Sequence, residues 1–457
     1  MTSEAEPSGP GGGLRAGSAE LRRLDLAMLF AALAAFGLLY STQALLPALG
    51  SGFGVGPTAA SLTVSAATGS LALAILPLSA VAETAGRARV MRAGLLTACL
   101  LTVGCALAPA FWVLLVARAL VGVALAAVVA VAVAHLGDEV HPSHLGTAIG
   151  VYVAGNTLGG IAGRLVPGLA EETLSWRGAL GLLGALALVA AVLFDRLLPA
   201  ARRPPRVPSG PRGHAGSLRV VLEDRAVLRL CLLGFLLMGG FVACYNYLTF
   251  RLEGAPLRLS TSVTSLLFLA YLAGTVSSPV AGRLSDRFGR RRLALVGIAV
   301  ALAGLALTLP DRLPSITAGL LVFTAGFFAT HSVASSWVSA RAGGRRGQAA
   351  ALYLLAYYLG SSTLGAAIGL AYQWAGWPAT AAAVGGLFLL GGVAVVGIPD
   401  GASPRPSPTC PGSRQQPSAA AGSVRVDGGG QYDEVGDEQD GATRGRGARR
   451  EDPPSLG

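Results

Sequence analysis

Two arginines stand inside apolar runs of a chain that otherwise keeps charge out of them: Arg118, in the run 111–135, and Arg164, in the run 146–168. An arginine at the centre of a bilayer costs roughly 2.5–3.5 kcal/mol on insertion scales, so it usually faces a cavity or a polar partner and marks function. Both lie toward one end of their runs, and snorkelling of the long cationic stem to the interface is the competing reading. His331 lies well inside the run 315–339. An imidazole titrates near neutral pH and can relay a proton, or it can make a fixed structural hydrogen bond. The eleven acids from Glu83 to Asp311 stand at run ends or in connections, never centrally. If protons are coupled, the titrating group is therefore a boundary acid or His331.

A set of polar and aromatic side chains also falls within the apolar runs: Tyr40, Gln43, Asn156, Tyr245, Asn246, Tyr247, Tyr357 and Tyr358. Such groups line substrate cavities, hydrogen-bond between helices, or sit in the interfacial aromatic belt. Tyr357 and Tyr358 are adjacent, so only one of them can face a given cavity.

The elements that must position these residues follow from composition. The chain has 457 residues, 53% hydrophobic and only 13% charged, where soluble domains carry about 25% charged residues. Its mean hydropathy is +0.59. These figures exclude an ordinary soluble enzyme and a disordered chain. A membrane-crossing helix needs about 20 mostly apolar residues. Twelve such runs occur, at 26–47, 59–80, 90–108, 111–135, 146–168, 177–198, 228–250, 262–282, 292–310, 315–339, 347–370 and 378–398. The run 26–47 contains Gln43 and Pro47, exceeds the length of a signal-peptide apolar core and lacks a convincing cleavage site, so it reads as a span.

All 35 basic residues are arginine, and the net charge is +11. With twelve spans the termini share one side, and that side collects 29 arginines against 4 on the other. By the positive-inside rule both termini are expected to be cytoplasmic. The charge then reports topology, not nucleic-acid binding. Cys99, Cys105, Cys231 and Cys244 fall in runs and Cys410 in the tail, without metal-binding spacing. His135, His141 and His144 lie near Asp138 and Glu139, but Pro142 and a loop context argue against a metal site. No metal and no cofactor is expected.

Residues 199–227 are rich in Pro, Gly and Arg and read as a cytoplasmic linker between two halves, 26–198 and 228–398. Residues 1–25 form an N-terminal arm, and the low-complexity tail 399–457 is expected to be disordered. The halves repeat. Glu83 to Arg87 corresponds to Asp286 to Arg290 at an offset of 203, and Gly146, Gly159 and Trp176 correspond to Gly347, Gly360 and Trp377 at 201. Parallel six-span repeats characterise a class of transporters that bind substrate between their halves.

The segment Gly282-Arg283-Leu284-Ser285-Asp286-Arg287-Phe288-Gly289-Arg290-Arg291-Arg292 resembles the loop motif of the major facilitator superfamily, and 79–89 is its degenerate copy. Arg118 to Gly122 is similar to that family's R-x-x-x-G element, and Gly155 to Gly160 to the Gly-Pro-x-x-Gly-Gly element of its antiporters, with Asn156 in place of proline. The stretches 39–43, 245–247, 331–338 and 352–362 are similar to YnfM-type, arabinose-efflux-permease-like proteins. The resemblance covers about residues 20–400.

It implies an all-α membrane protein of twelve transmembrane helices that moves a small molecule by alternating access, outward and against protons. Uptake of a small polar solute by proton symport is the alternative in class; a channel or membrane enzyme is the alternative from another class. The arginine matching Arg118 is linked to proton coupling in the wider family, and the cavity there is lined largely by spans 1, 4, 7 and 10. That favours Tyr40, Gln43, Tyr245 and Asn246 as cavity residues. The loop carboxylates have a physical role to play: a helix N-terminus favours a nearby carboxylate by about 0.3–1 kcal/mol. Glu83 facing the Gly347 end and Asp286 facing the Gly146 end would latch one face shut. Gly86, Arg87, Gly282, Arg287, Gly289 and Arg290 complete that set; the competing reading is a basic loop with an incidental acid. Close packing is expected along Gly150, Gly155, Gly159, Gly160 and Gly163.

No paired acids, nucleophile with base, or metal cluster appears in the runs, so an enzyme is not expected. A chain without lysine cannot form the Gly-x-x-x-x-Gly-Lys-Ser/Thr nucleotide loop, so an ion gradient must supply the energy. The expected protein is a monomer in the cell inner membrane, with substrate, protons and lipid as partners.

Overall fold

The computed structural model describes residues 13–15, 17–200 and 220–398. Most of the linker 199–227, the first residues of the arm and the tail 399–457 lie outside the described residues. Fourteen α-helices are used below. They are α1 Ala19–Leu39, α2 Leu46–Phe53, α3 Pro57–Ala85, α4 Arg87–Ala106, α5 Phe111–Val129, α6 Ala132–Glu139, α7 Pro142–Leu197, α8 Arg225–Glu253, α9 Thr261–Leu266, α10 Tyr271–Phe288, α11 Arg290–Leu307, α12 Leu313–Arg341, α13 Arg346–Ala367 and α14 Gly369–Val396. A 3₁₀ turn, Leu267–Ala270, joins α9 to α10.

Among the described residues, eight helical segments are long and apolar enough to cross a membrane by length and composition. One of them, α7, has 56 residues, about 84 Å at 1.5 Å per residue, far more than a hydrocarbon core of about 30 Å. Non-helical backbone at Ser175 (φ 58°, ψ 170°) divides it. Before the break, Gly155 and Gly163 pack on Leu29 and Gly37, so this arm runs parallel to α1. After it, Arg177 meets Ala106 and Asp195 meets Arg92, so the second arm runs antiparallel to α4. The runs 146–168 and 177–198 are thus two helices of one hairpin, separated by the break at Ser175. A matching break at Ala375 and Gly376 lies 201 residues later within α14.

The expected first span, 26–47, is corrected. Its helix begins at Ala19, where Ser18 Oγ accepts from Leu21 N at 3.1 Å, and stops at Leu39. Residues 40–45 form turns before α2 resumes. Ser, Thr and Gln in that stretch offer the backbone local alternatives to the helix, and a cation from another helix takes its last carbonyls.

The repeat is visible in the backbone. Gly86 (φ 94°, ψ 125°) separates α3 from α4, and Gly289 (φ 87°, ψ 142°) separates α10 from α11. Both adopt positive φ, which only glycine enters freely, so the motif glycine is required by the turn. Within the halves, α1 lies along α7 and α8 along α13. A Cβ at Gly155 would stand 2.7 Å from Leu29 O and from Ala32 Cβ, so the helices touch through bare backbone. Gly159 and Gly163 share this face. Gly150 does not, since a Cβ there meets nothing within 4 Å, and Gly160 faces Arg164 instead.

The halves meet through α3 against α13 and α9 against α7. Their side-chain hydrogen bonds gather at one end of the bundle, the end that carries Trp176 and Trp377. Tyr247 Oη donates to Ser61 Oγ at 3.0 Å, Ser362 Oγ to Ser65 O at 2.8 Å, and Ser262 N to Glu172 Oε1 at 3.0 Å. At the opposite end Asp286 is exposed and in no ion pair among the described residues. Gly146 and Gly347 are exposed there, with open space around each.

Candidate functional site

The turn at residues 40–45 is held by two buried arginines. Arg118 projects from α5 and is fully buried. Its Nη2 donates to Leu39 O at 2.5 Å, Nη1 to Leu38 O at 2.9 Å and Ser41 Oγ at 3.0 Å, and Nε to Thr63 O at 3.1 Å. The terminal carbonyls of a helix carry partial negative charge and favour a cation. Arg118 therefore caps the broken α1, ties it to α3, and presents no bare donor pair to a cavity. All its partners are neutral.

Arg164 projects from the first arm of α7 and is 1% exposed. Its Nε donates to Gln43 Oε1 at 2.6 Å, and Nη1 donates to Gly160 O. Its guanidinium lies 4.0 Å from the ring centre of Tyr40, 4.5 Å from Tyr271 and 5.5 Å from Phe268. Gln43 Nε2 in turn donates to Asn246 Oδ1 on α8 at 2.7 Å. Tyr40, Gln43, Arg164 and Asn246, singled out on separate grounds in the sequence, thus form one cluster that spans both halves. Phe268 and Tyr271 join it without having been anticipated. Their signal was faint: two aromatics on an apolar run look like core.

Tyr245 lies at the edge of this cluster. Its Oη is 2.8 Å from Thr324 Oγ1, and its ring packs on Phe268 and Tyr271. His331 belongs to a second group farther along the second half. Its Nδ1 is 2.9 Å from Tyr353 Oη, and its ring stacks on Phe327 with Tyr357 at 4.6 Å. Tyr357 is half-buried while Tyr358 is buried, so Tyr357 is the more open of the pair. Asn156 is half-buried on α7, two turns before Arg164, and outside both groups.

The motif residues stay at the far end. Arg87 makes an ion pair with Asp138 and also reaches Ala134 O at 2.7 Å, both within its own half. Arg283, Asp286 and Arg287 are exposed, Gly282, Gly289 and Arg290 are half-exposed, and Glu83 is half-buried beside Gly86. Arg251, placed in a connection by sequence, is buried, paired with Asp311 at 2.7 Å and bonded to Leu309 O at 2.8 Å.

This architecture has known counterparts. The model of the Major Facilitator Superfamily matches residues 28–260 and 254–428. The chain is 39% identical over 366 residues to an uncharacterized MFS-type transporter, YybF, of Bacillus subtilis (strain 168), covering 80% of this chain and 90% of that protein. It is 39% identical over 376 residues to the inner membrane transport protein YnfM of Escherichia coli (strain K12), covering 82% and 90%. Among solved structures, a bacterial homolog to the human lysosomal transporter Spinster aligns with a TM-score of 0.67 at 17% identity, over 83% of this chain and 95% of that one. With its repeated halves, its loop motif at equivalent turns and these matches along most of its length, the chain belongs to the major facilitator superfamily of membrane transporters and is not an enzyme.

Proposed function

We propose that this transporter has twelve spans with both termini in the cytoplasm of a bacterial cell, and exports a small molecule across the inner membrane in exchange for protons. The arginine asymmetry, 29 against 4, supports the orientation. The observation that carries alternating access is the difference between the two ends of the bundle. One is closed by Gln43–Asn246, Tyr247–Ser61 and Ser362–Ser65. At the other, Asp286, Gly146 and Gly347 stand exposed. With that second end cytoplasmic, the conformation is inward-facing. Transport then requires the Gln43–Asn246 end to part while Asp286 docks on the Gly146 helix start and Glu83 on the Gly347 start. Arg87, Arg287 and Arg290 flank that latch, and Gly86, Gly282 and Gly289 let its backbones approach.

The energy source is a proton gradient, with His331 as the titrating group inside the second half and Arg118 and Arg164 as the fixed charges. Tyr40, Gln43, Tyr245, Asn246 and Tyr357 contribute to the substrate path, with Asn156 nearer the far end of α7. Uptake by proton symport is the second reading, favoured by Asn156 standing where the antiporter element has proline. The deciding experiment is transport of a compound library by purified protein in proteoliposomes, with and without an imposed pH gradient. Flux that depends on the gradient, with its sign, decides coupling and direction. No gradient-dependent flux for any compound, in protein shown to be folded, overturns the proton-coupled reading.

A further inference from the structure

We propose that the Arg164 cluster recognises an anion, so that the transported molecule is a small organic carboxylate whose oxygens are taken by Arg164, Asn246 and Tyr271. This rests on the transporter reading above and names the class of its substrate.

The argument is one of hydrogen-bond polarity. A guanidinium only donates. Arg164 Nε donates to Gln43 at 2.6 Å, so the Gln43 carboxamide must turn its oxygen to the arginine. Its Nε2 then has to donate, and it does so to Asn246 Oδ1 at 2.7 Å. That fixes the second carboxamide as well and leaves Asn246 Nδ2 with no acceptor, although Asn246 is fully buried. Flipping either amide would oppose like poles, so the arginine itself sets the direction of the whole chain. Tyr271 Oη, on a buried ring 4.5 Å from the same guanidinium, also has no partner. The cluster therefore ends in unused donors around a full positive charge.

The charge is equally unbalanced. Arg164 makes no ion pair among the described residues, and Arg118 is satisfied by neutral oxygens. Among the described residues Glu139, at the loop-motif end, is the one carboxylate residue classed as buried; Glu253, seven residues beyond Asn246 on the same helix, is part-buried and in no ion pair among them. The rings of Tyr40, Tyr271 and Phe268 face the cation, which eases its burial without cancelling its charge. Buried donors left unpaired and a buried charge without a counter-charge are both unfavourable. One ligand chemistry relieves both, an acceptor-rich anion; a cation would meet repulsion and a neutral amine would bring more donors.

Position adds a consequence. The cluster joins the 40–45 turn and α7 of one half to α8 and α10 of the other. A carboxylate on the Arg164 guanidinium and Asn246 Nδ2 takes donors that Gln43, bound through Arg164 Nε and Asn246 Oδ1, does not use, and so sits directly beside the bond that closes this end. Rings of Tyr245 and Phe268 adjoin the site, and an apolar cleft beside them is lined by Leu248, Leu252, Leu267 and Leu320. Thr249 and Thr264 complete that lining, and the apolar side chains around it favour a ligand whose body is apolar or aromatic.

The test uses the full chain in lipid nanodiscs and three probes of one shape and different charge: benzoate, benzamide and benzamidine. Phenylacetate and its amide serve as a second pair. The carboxylates should raise the unfolding temperature and bind at least tenfold more tightly than their amides, and benzamidine should give no shift. Arg164→Gln should weaken carboxylate binding tenfold or more. Should that variant not fold, Tyr271→Phe, which removes only the unpaired hydroxyl, should weaken it three- to tenfold, and Asn246→Asp should abolish it. The site is overturned if amide or amidine binds as tightly as the carboxylate, if neither carboxylate stabilises a cooperatively unfolding wild type, or if Tyr271→Phe and Asn246→Asp leave affinity unchanged. The two readings separate cleanly. Carboxylate binding without flux in proteoliposomes counts against transport and not against the site. Flux of other cargo with no carboxylate binding counts against the site alone.

Discussion

Gln43 Nε2 donates to Asn246 Oδ1 at 2.7 Å, and the two residues stand 203 positions apart, the interval that also separates Glu83 from Asp286. Leu33 packs on Gly159 as Phe235 packs on Gly360, an interval of 202, so the two residues fall within one position of equivalence in the repeat. Nearly equivalent positions touch close to the axis that relates the halves, so this bond lies beside that axis. Breaking it should matter more than an ordinary surface contact. Removing one partner of a buried pair exposes the other to a desolvation cost of about 1–3 kcal/mol. Gln43→Ala and Asn246→Ala should each lower the unfolding temperature and increase labelling of cysteines introduced at the Trp176 end. In a double-mutant cycle the two effects should be non-additive; full additivity would show that the bond does not couple the halves.

Arg118 makes a different prediction from Arg164. Three of its four bonds go to backbone carbonyls, two of them at the end of α1. A lysine cannot reproduce that fork. With hydrogen bonds to a charged group contributing about 1.5–3 kcal/mol each, Arg118→Lys should lose several kcal/mol and reduce folded protein in the membrane. Size-exclusion chromatography of detergent extracts reads this directly. A well-folded Arg118→Lys protein that binds substrate but does not move protons would instead assign the residue to coupling.

The α1–α7 contact has almost no slack. A Cβ at Gly155 would approach Leu29 O to 2.7 Å, and Gly163 meets the Gly37 backbone more closely still. Overpacking of this kind costs about 1–3 kcal/mol. Gly163→Val should lower stability by at least that much, while Gly150→Ala, on the same helix with open space around it, should be neutral. Comparing their unfolding temperatures checks the face assigned to each glycine.

Asp286 is exposed and in no ion pair among the described residues, so it contributes little to the stability of this state. Asp286→Asn should leave membrane abundance intact and abolish transport, because the lost contact belongs to the opposite state. Full activity of the variant would remove the latch.

His331 hydrogen-bonds Tyr353 and packs between Phe327 and Tyr357. If the imidazole carries the coupled proton, His331→Gln retains a polar group beside Tyr353 but cannot titrate. Exchange of substrate at equal concentrations should continue in proteoliposomes, while accumulation driven by a pH gradient should stop. Unchanged gradient-driven accumulation would leave His331 a structural partner of Tyr353.

The sequence alone determined the solvent, the repeat and the family of this protein. Apolar runs of about 20 residues need a bilayer, arginine falls on one side of them, and glycine recurs at turns and contacts where no side chain fits. Those signals are local or periodic, so they survive without a structure. It also singled out Tyr40, Gln43, Arg164 and Asn246, because polar groups in apolar runs are conspicuous one at a time. Only the tertiary structure decided which of them meet. Gln43 lies 121 residues from Arg164 and 203 from Asn246, and no spacing rule joins such distances. The same holds for the break in α1 at Tyr40: the run is apolar enough to continue, but Arg118, from another helix, takes the carbonyls at the end of α1. Phe268 and Tyr271 were illegible for a related reason. An aromatic residue on an apolar helix looks like core until a cation is found against its face.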